Sequence, residues 1–97
     1  MIIYEITAKV RLDLCSKYEA YMRETHIPDL LKTGAFTGAT ISTAEPGAYR
    51  ISYQVQNRED LDRYVRDHAP ALRADVAKHF PEGVEQTRIE WTVLEQW

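Results

Sequence analysis

The first segment of this chain constrains the fold more than any other. From Ile2 to Leu12 apolar side chains alternate with mostly polar ones, which is typical of a β-strand with one buried face. Such a strand needs partner strands beside it and a second layer over its apolar side. With 97 residues, the chain has enough length for one hydrophobic core but not for two. We therefore expect a single domain over residues 1–97, built around this strand.

The remaining pattern predicts three further strands and two helices. Strands are predicted at Phe36–Thr43 and Ala48–Gln56, joined by a Pro-Gly turn, and at about Thr87–Val93. Helices are predicted from about Leu14 to about His26 behind an Asp13 N-cap, and from an Asn57 N-cap to Phe80. The order strand, helix, strand, strand, helix, strand predicts an α+β, ferredoxin-like βαββαβ fold, an antiparallel four-stranded sheet with both helices on one face.

Each predicted helix contains a proline two residues after a histidine. Pro28 follows His26, and Pro70 follows His68. Because proline lacks a backbone donor and disfavours helical geometry at the preceding residue, both helices should kink or restart there. We expect the break at Pro28 to point the His26 side chain away from bulk solvent. We expect Gly34, in a left-handed conformation, to end the helical segment that follows Pro28. The two similar segments indicate either an internal sequence repeat, called the echo below, or two amphipathic helices of similar composition.

The second face of the sheet is predicted to be polar. Alternation places on it Glu5, Thr7, Lys9, Arg50, Ser52, Gln54, Arg88, Glu90 and Thr92, with Thr37, Ala39, Ile41 and Thr43 on the remaining strand. It places Tyr4, Tyr49, Tyr53 and Trp91 on the face beneath the helices. The polar face meets either water or the same face of a second chain. Composition alone favours water.

Charge and cysteine content exclude several classes of protein. The formal net charge is −3 and no cluster of Lys and Arg stands out, so we expect no nucleic-acid partner. Cys15 is the single cysteine, which rules out an internal disulfide and favours a reducing compartment. No leader-like segment opens the sequence, and no apolar run approaches the roughly 20 residues of a membrane span. We expect a soluble, cytoplasmic protein with no membrane partner.

Two segments resemble a known family. Glu24–Thr37 and Tyr64–Arg73 look like a family of short bacterial proteins that carry a domain of unknown function, and the likeness runs nearly end to end. That family resembles the dimeric α/β-barrel superfamily, with its antibiotic-biosynthesis monooxygenases, polyketide cyclases, muconolactone isomerases and haem-degrading monooxygenases. The resemblance implies a homodimer with facing sheets and a site between sheet and helices or inside the barrel. It does not imply one activity, because one architecture hosts many chemistries.

Histidine supplies the first candidate chemistry. His26, with an ordinary imidazole pKa near 6.5, could take and return a proton at cellular pH, with Asp29 or Glu24 to orient it. His68 is a second candidate, because the echo would place it at the related helix break. The alternative for both is structural: a ring that packs at a helix end and complements the helix dipole. A lone histidine on a half-buried face is more often structural than catalytic.

The sequence favours neither a metal nor a cofactor. Asp75 and His79 share a helical face and His68 precedes them, but Pro70 disturbs the register that three ligands would need. The haem-degrading relatives resemble one another in an Asn on the first strand and a Trp on a helix. Here the first strand offers Glu5 and Thr7, and both tryptophans lie on or after the last strand. We therefore expect no metal and no cofactor.

Four further residues are candidates for substrate binding. Glu5 and Arg50, like Arg88 and Glu90, could be site groups inside a closed barrel, or could simply form cross-strand ion pairs. Tyr53 and Trp91 could wall an aromatic-friendly pocket, or simply pack in the core. The leading hypothesis is a small enzyme of the dimeric α/β-barrel type, similar to a polyketide cyclase or lyase, that cyclises, isomerises or cleaves a polyketide-like or aromatic molecule by acid–base chemistry.

Two other functions stay open at this stage. The chain could be a non-catalytic dimer that binds a small organic ligand or a biosynthetic partner enzyme. It could also be a cofactor-independent monooxygenase, which the sequence favours less.

Overall fold

Four antiparallel strands form one sheet in the order β2-β3-β1-β4. The computed structural model describes residues 1–97. Its strands are β1 (Ile2–Val10), β2 (Gly38–Thr43), β3 (Ala48–Val55) and β4 (Val84–Thr92). Its α-helices are α1 (Cys15–Tyr21), α2 (Ile27–Lys32), α3 (Arg58–Asp67) and α4 (Ala69–His79). The predicted ferredoxin-like architecture is confirmed. None of these helices has the length and apolar character needed to span a membrane.

The core lies between the sheet and the helices. The alternation predicted for β1 is confirmed, because Ile2, Tyr4, Ile6, Ala8 and Val10 are all buried. The largest fully buried side chains come from both layers: Tyr18, Met22 and Leu30 from the first helical segment, Ile51, Tyr53 and Val55 from β3, and Leu61 from α3. The side of the sheet that faces these helices is called the helix side below, and the opposite side the open face.

The restart predicted at Pro28 is confirmed, because α2 begins at Ile27 with Pro28 in its first turn, but the non-helical geometry expected at the preceding residue is wrong. Ile27 has helical backbone angles, φ −62° and ψ −47°, and the chain runs from α1 into α2 through a π-helical stretch, Met22–His26. There the N–H of Ile27 donates to the carbonyl of Met22, five residues back. The wider π turn accommodates Pro28, which has no N–H to donate. The break predicted before Pro70 is confirmed, because His68 separates α3 from α4 with φ −122°.

Three of the four local signals for helix ends and turns are confirmed. Asn57 caps α3, because its side chain accepts a hydrogen bond of 2.9 Å from the N–H of Asp60. Gly34 ends α2 with φ +81°, and Gly47 closes the β2–β3 hairpin with φ +85°. The Asp13 cap is wrong. Its carboxylate instead lies 2.6 Å from the Arg11 guanidinium, within a 3₁₀ turn that precedes α1.

The predicted faces of β4 and β2 are reversed. Residues paired across an antiparallel ladder point to the same side, and Tyr4 pairs with Glu90 while Glu5 pairs with Ile89. The helix side of β4 therefore carries Arg88, Glu90 and Thr92, and its open face carries Ile89 and Trp91. By the same rule, Ala39, Ile41 and Thr43 of β2 lie on the helix side. Burial does not fix the pattern on β4, because this edge strand lies largely exposed on both sides.

Candidate functional site

A small cavity lies between the helices and the sheet. Its walls are mostly apolar and aromatic, and they include Tyr4 of β1, Met22 of the π-helical stretch and Tyr64 of α3. Its volume is about 20 Å³, which is room for about one water molecule. Five polar side chains also line it: His26, Tyr53, Arg73, Gln86 and Arg88. These residues define the cavity discussed below.

His26 reaches this cavity from the last position of the π-helical stretch. Its Nδ1 atom is buried and has no hydrogen-bond partner. Burial lowers the pKa of His26 to about 4, an effect that the carboxylates of Asp75 and Asp29 partly oppose and the Arg88 guanidinium adds to. The imidazole is therefore neutral at pH 7, and Nδ1 can donate or accept a proton according to the tautomer.

Tyr53 approaches the same cavity from the sheet. It lies on the helix side of β3 and is fully buried, and its hydroxyl has no hydrogen-bond partner. Burial raises the pKa of Tyr53 above its ordinary value, and the neighbouring Tyr64 raises it further. The hydroxyl therefore stays protonated and can donate a hydrogen bond. His26 Nδ1 and Tyr53 Oη are the two buried side-chain polar atoms without a partner, and both residues line this one cavity.

Two arginines stand at the rim of the cavity on different elements. Arg73 projects from α4 and donates to the Tyr4 hydroxyl at 3.1 Å. Arg88 projects from β4 and donates to the Gln86 side-chain oxygen at 3.4 Å. Both residues are exposed, and neither is in a salt bridge with a carboxylate. The cavity thus combines a neutral imidazole, a phenol and two cations.

The other two predicted catalytic residues lie outside the cavity lining. Asp29, in the first turn of α2, acts on His26 through its charge and makes no hydrogen bond to it. His68 separates α3 from α4, and its ring stacks on Tyr64 with 6.3 Å between ring centroids. The structure therefore brings Asp29 close to His26, but His68 does not share the cavity with them.

The predicted substrate-binding residues divide between the two sides of the sheet. Tyr53 lines the cavity, whereas Glu5, Arg50 and Trp91 lie on the open face. The expectation that Trp91 lies beneath the helices is wrong, because the β4 register places it opposite Ile3. On the open face Trp91 donates to a Glu5 carboxylate oxygen at 3.4 Å, and the Arg50 guanidinium lies 3.9 Å from the other oxygen of Glu5.

A wider groove crosses the open face. Its volume is about 590 Å³, and its lining includes Thr7, Lys9, Ser42, Arg50 and Glu85. Thr7 and Thr87 are hydrogen-bonded across β1 and β4 within it. Unlike the cavity, this groove contains no buried polar atom without a partner. Most of its accessible lining is nonetheless apolar, and it is an open groove rather than an enclosed pocket.

No group of three or more His, Cys, Asp or Glu side chains converges in a way that could hold a metal ion. The Asp75–His79 pair considered from the sequence makes other contacts. Asp75 accepts a hydrogen bond of 2.6 Å from the Tyr21 hydroxyl, and His79 Nδ1 lies 2.9 Å from the Asp75 carbonyl oxygen. The first contact joins α1 to α4, and the Tyr21 ring also stacks on His26.

The sequence does not indicate Arg73 as a site residue, and it offers Arg88 only as a possible group on the polar face of the sheet. Arg88 was assigned to the opposite side of the sheet, and only the register of β4 against β1 corrects this. Arg73 lies on an exposed part of α4, where an arginine needs no special explanation. No local signal in the sequence brings these two side chains to one cavity, because their meeting depends on tertiary packing.

Comparisons with known proteins give a family and a fold. The family model described as "Domain of unknown function (DUF4286)" matches residues 1–97. No curated protein matches the sequence. Among solved structures, a "putative antibiotic biosynthesis monooxygenase" from Nitrosomonas europaea has a TM-score of 0.71 at 17% identity, covering 98% of this chain and 100% of its own.

Two further solved structures are similar at low identity. One, from Deinococcus radiodurans, is also called a "putative antibiotic biosynthesis monooxygenase"; its TM-score is 0.70 at 16% identity, with 100% and 96% covered. The other is a conserved protein from Methanosarcina mazei, with a TM-score of 0.65 at 13% identity and 92% and 91% covered. At such identities the likeness shows a shared fold, as the resemblance to the dimeric α/β-barrel superfamily predicts.

Proposed function

This chain belongs to the DUF4286 family of unknown function, and we propose that it is a small-molecule enzyme of the dimeric α/β-barrel type that works by proton transfer. The observation that carries the proposal is the presence of two unpartnered polar atoms, His26 Nδ1 and Tyr53 Oη, at one cavity. Leaving a buried polar group unpaired costs about 1–3 kcal/mol. Two such groups at one place fit a site that a ligand completes.

The proposed step is removal of a proton from a carbon next to a carbonyl group. His26 Nδ1 accepts the proton, the C–H electron pair moves into the carbonyl, and an enolate forms. The Tyr53 hydroxyl donates a hydrogen bond to the enolate oxygen. Where a C=C bond adjoins the deprotonated carbon, the enolate electron pair shifts through that bond, the far carbon takes back the proton from His26, and an isomerisation is complete. Asp29 supports this step, because its charge raises the pKa of His26 and so stabilises the protonated ring.

The cavity must widen to admit an organic substrate. Its present volume suits about one water molecule, and its rim is formed by the long, exposed side chains of Arg73 and Arg88. Rotation of such side chains opens a path without moving the backbone. The aromatic walls formed by Tyr4, Tyr53 and Tyr64 favour a flat or conjugated substrate, which supports a polyketide-like or aromatic compound.

We also propose that two copies pair through their open faces. This face exposes Ile89 by 46% and Trp91 by 50%, next to the polar cluster formed by Glu5, Ser52 and Arg50. A two-fold axis across the face can bring the apolar end of each sheet against its partner and enclose the groove between the sheets. The cavities would then lie outside the interface, one in each subunit.

Hydrogen–deuterium exchange tests the proton-transfer step. Native mass spectrometry on protein purified gently from its own host identifies any retained ligand, and NMR in D₂O then follows exchange of that ligand's C–H protons. We expect wild-type protein to catalyse exchange, and His26→Gln to reduce its rate at least 100-fold, since a glutamine amide cannot accept the proton. His68→Gln is the matched control and should leave the rate within about twofold.

Three results would change the proposal. A retained ligand whose protons do not exchange would indicate the non-catalytic ligand-binding alternative. Oxygen consumption in the same assay would indicate that deprotonation leads to oxygenation, as the names of the two monooxygenase-like neighbours suggest. Equal loss of exchange in His26→Gln and His68→Gln would remove His26 as the base.

A further inference from the structure

Hydrogen-bond donors predominate among the free polar groups of the cavity. Arg73 and Arg88 only donate, and each guanidinium has five N–H groups, of which one is used within the protein. The Tyr4 hydroxyl accepts from Arg73, so its own hydrogen is free to donate. The Tyr53 hydroxyl is unpartnered. A ligand that fits this cavity must therefore be rich in acceptors.

The Gln86 side chain already makes hydrogen bonds within the protein. The Gln86 side-chain oxygen accepts from Arg88 at 3.4 Å, and its nitrogen donates to the Tyr18 hydroxyl at 3.3 Å. His26 Nδ1 can adopt the donor tautomer when an acceptor is near. The lining contains no carboxylate, so a neutral ligand would leave the two guanidinium groups without an anionic partner.

The two arginines also differ from the others in the chain. The sequence contains eight arginines, and six of them lie within 4.0 Å of a carboxylate: Arg11, Arg23, Arg50, Arg58, Arg63 and Arg66. The remaining two, Arg73 and Arg88, are those at the cavity. In a protein with a net charge of −3, two unpaired guanidinium groups on different elements form a local cationic site.

We propose that the ligand of this cavity is a small organic carboxylate whose carboxylate group is held by Arg88 and Arg73 at the rim. This inference rests on the proposed function and adds the charge class of its substrate. A carboxylate only accepts hydrogen bonds, and its planar pair of oxygens matches a guanidinium. The aromatic walls contact the carbon skeleton, so the ligand enters with its carboxylate towards the arginines.

Paired probes test the charge class directly. Benzoate and benzamide have nearly the same shape, but benzoate is an anion without donors, whereas benzamide is neutral and has two N–H donors. Binding is followed by NMR of the His26 imidazole, assigned with His26→Gln. We expect benzoate to shift the His26 signals and to bind at least tenfold more tightly than benzamide. Inorganic phosphate is the third probe, and it should bind more weakly than benzoate because it has no apolar part.

Arginine variants locate the binding site. Arg88→Gln and Arg73→Gln should each weaken benzoate binding at least tenfold, since each variant removes a charge-assisted hydrogen bond to the carboxylate. Arg66→Gln removes the same charge from an arginine that pairs with Asp67 and should leave affinity unchanged. Arg88→Lys keeps the charge but loses the planar fork, so its affinity should lie between wild type and Arg88→Gln.

The possible outcomes separate this inference from the proposed function. Equal binding of benzoate and benzamide at His26 would overturn the carboxylate and leave a small-molecule site. Tighter binding of phosphate than benzoate would assign the cavity to phosphorylated ligands and would also overturn it. No shift of His26 with any probe would overturn the inference, because it would indicate that the cavity holds only water. Benzoate binding without proton exchange in the earlier assay would support the inference and contradict catalysis.

Discussion

The two sides of the sheet differ in whether their polar groups have hydrogen-bond partners. On the open face, Glu5 receives hydrogen bonds from Ser52 and Trp91 and lies near Arg50, so its charge is compensated within the protein or by water. On the helix side, His26 Nδ1 and Tyr53 Oη are buried without partners. The first arrangement stabilises a surface, whereas the second destabilises a core. A cost of this kind is typical of a functional site.

The two sides of the sheet differ in the opposite way in how well their apolar side chains are covered. On the helix side they are covered by helices, whereas on the open face Ile89 and Trp91 remain half exposed. An exposed apolar pair on a sheet face is stabilised when another surface covers it. The helix side is therefore complete in packing and incomplete in hydrogen bonding, and the open face is complete in hydrogen bonding and incomplete in packing. This contrast leads to three predictions.

The largest expected effect is on the open face. Trp91→Arg places two like charges, related by the two-fold axis, in the proposed interface, and removes two large apolar side chains. We expect the dimer dissociation constant to rise at least 1,000-fold, about 4 kcal/mol, as measured by sedimentation velocity over a concentration series. Leu12→Arg is the control, because Leu12 is 68% exposed and lies outside the sheet. A wild-type protein that is monomeric at every concentration would contradict the pairing of open faces.

The second expected effect is on the helix side and depends on pH. Folding lowers the pKa of His26 from 6.5 to about 4, so the unfolded chain takes up a proton at a pH where the folded chain does not. Stability is therefore unaffected by this group above pH 6.5 and falls as the pH drops towards 4, by about 3 kcal/mol in total. Urea unfolding at pH 7, 5.5 and 4 should show that loss in wild type.

Variants identify the group responsible for this loss. His26→Gln cannot gain a proton, so its free energy of unfolding should fall about 3 kcal/mol less than that of wild type between pH 7 and pH 4. His68→Gln, which changes a histidine outside the cavity, should follow wild type. If His26→Gln and wild type show the same pH dependence, His26 is not held neutral by burial, and the contrast between the two sides weakens.

The sequence predicts those parts of the molecule where a local requirement acts. Burial of one face requires the alternation of β1, the free N–H groups at the start of α3 require the Asn57 cap, and a positive φ requires the glycine at position 34. The sequence predicts each of these features correctly. The face of β4 was predicted wrongly because an edge strand exposed on both sides imposes no such requirement. The same difference explains why Trp91 was placed under the helices.

The candidate site follows the same rule. His26 and Tyr53 could be selected from the sequence, since a histidine at a proline-marked irregularity and a tyrosine on a buried strand both stand out. The meeting of Arg73 with Arg88 could not be predicted, because 15 positions separate them and only tertiary packing brings both to one cavity. Nor does the sequence show which arginines lack a carboxylate partner.

The smallest expected effect is the most specific to the helix side. Tyr53→Phe removes a buried hydroxyl that has no partner while it keeps the ring packed against Tyr4 and Phe36. Since an unsatisfied buried group is destabilising, the variant should unfold at higher urea concentration, with a gain of about 1 kcal/mol. Tyr21→Phe makes the same chemical change but loses the hydrogen bond of 2.6 Å to Asp75, and it should lose about 1 kcal/mol.

The opposite signs of these two variants provide the decisive comparison. Both remove one oxygen from a buried tyrosine, so differences in ring burial largely cancel. A gain for Tyr53→Phe together with slower proton exchange of the retained ligand would show that the hydroxyl is kept for the reaction at the expense of stability. A loss of similar size in both variants would mean that water in the cavity already satisfies Tyr53 Oη. The helix side would then be as complete in its hydrogen bonds as the open face, and the strongest support for a ligand site would be gone.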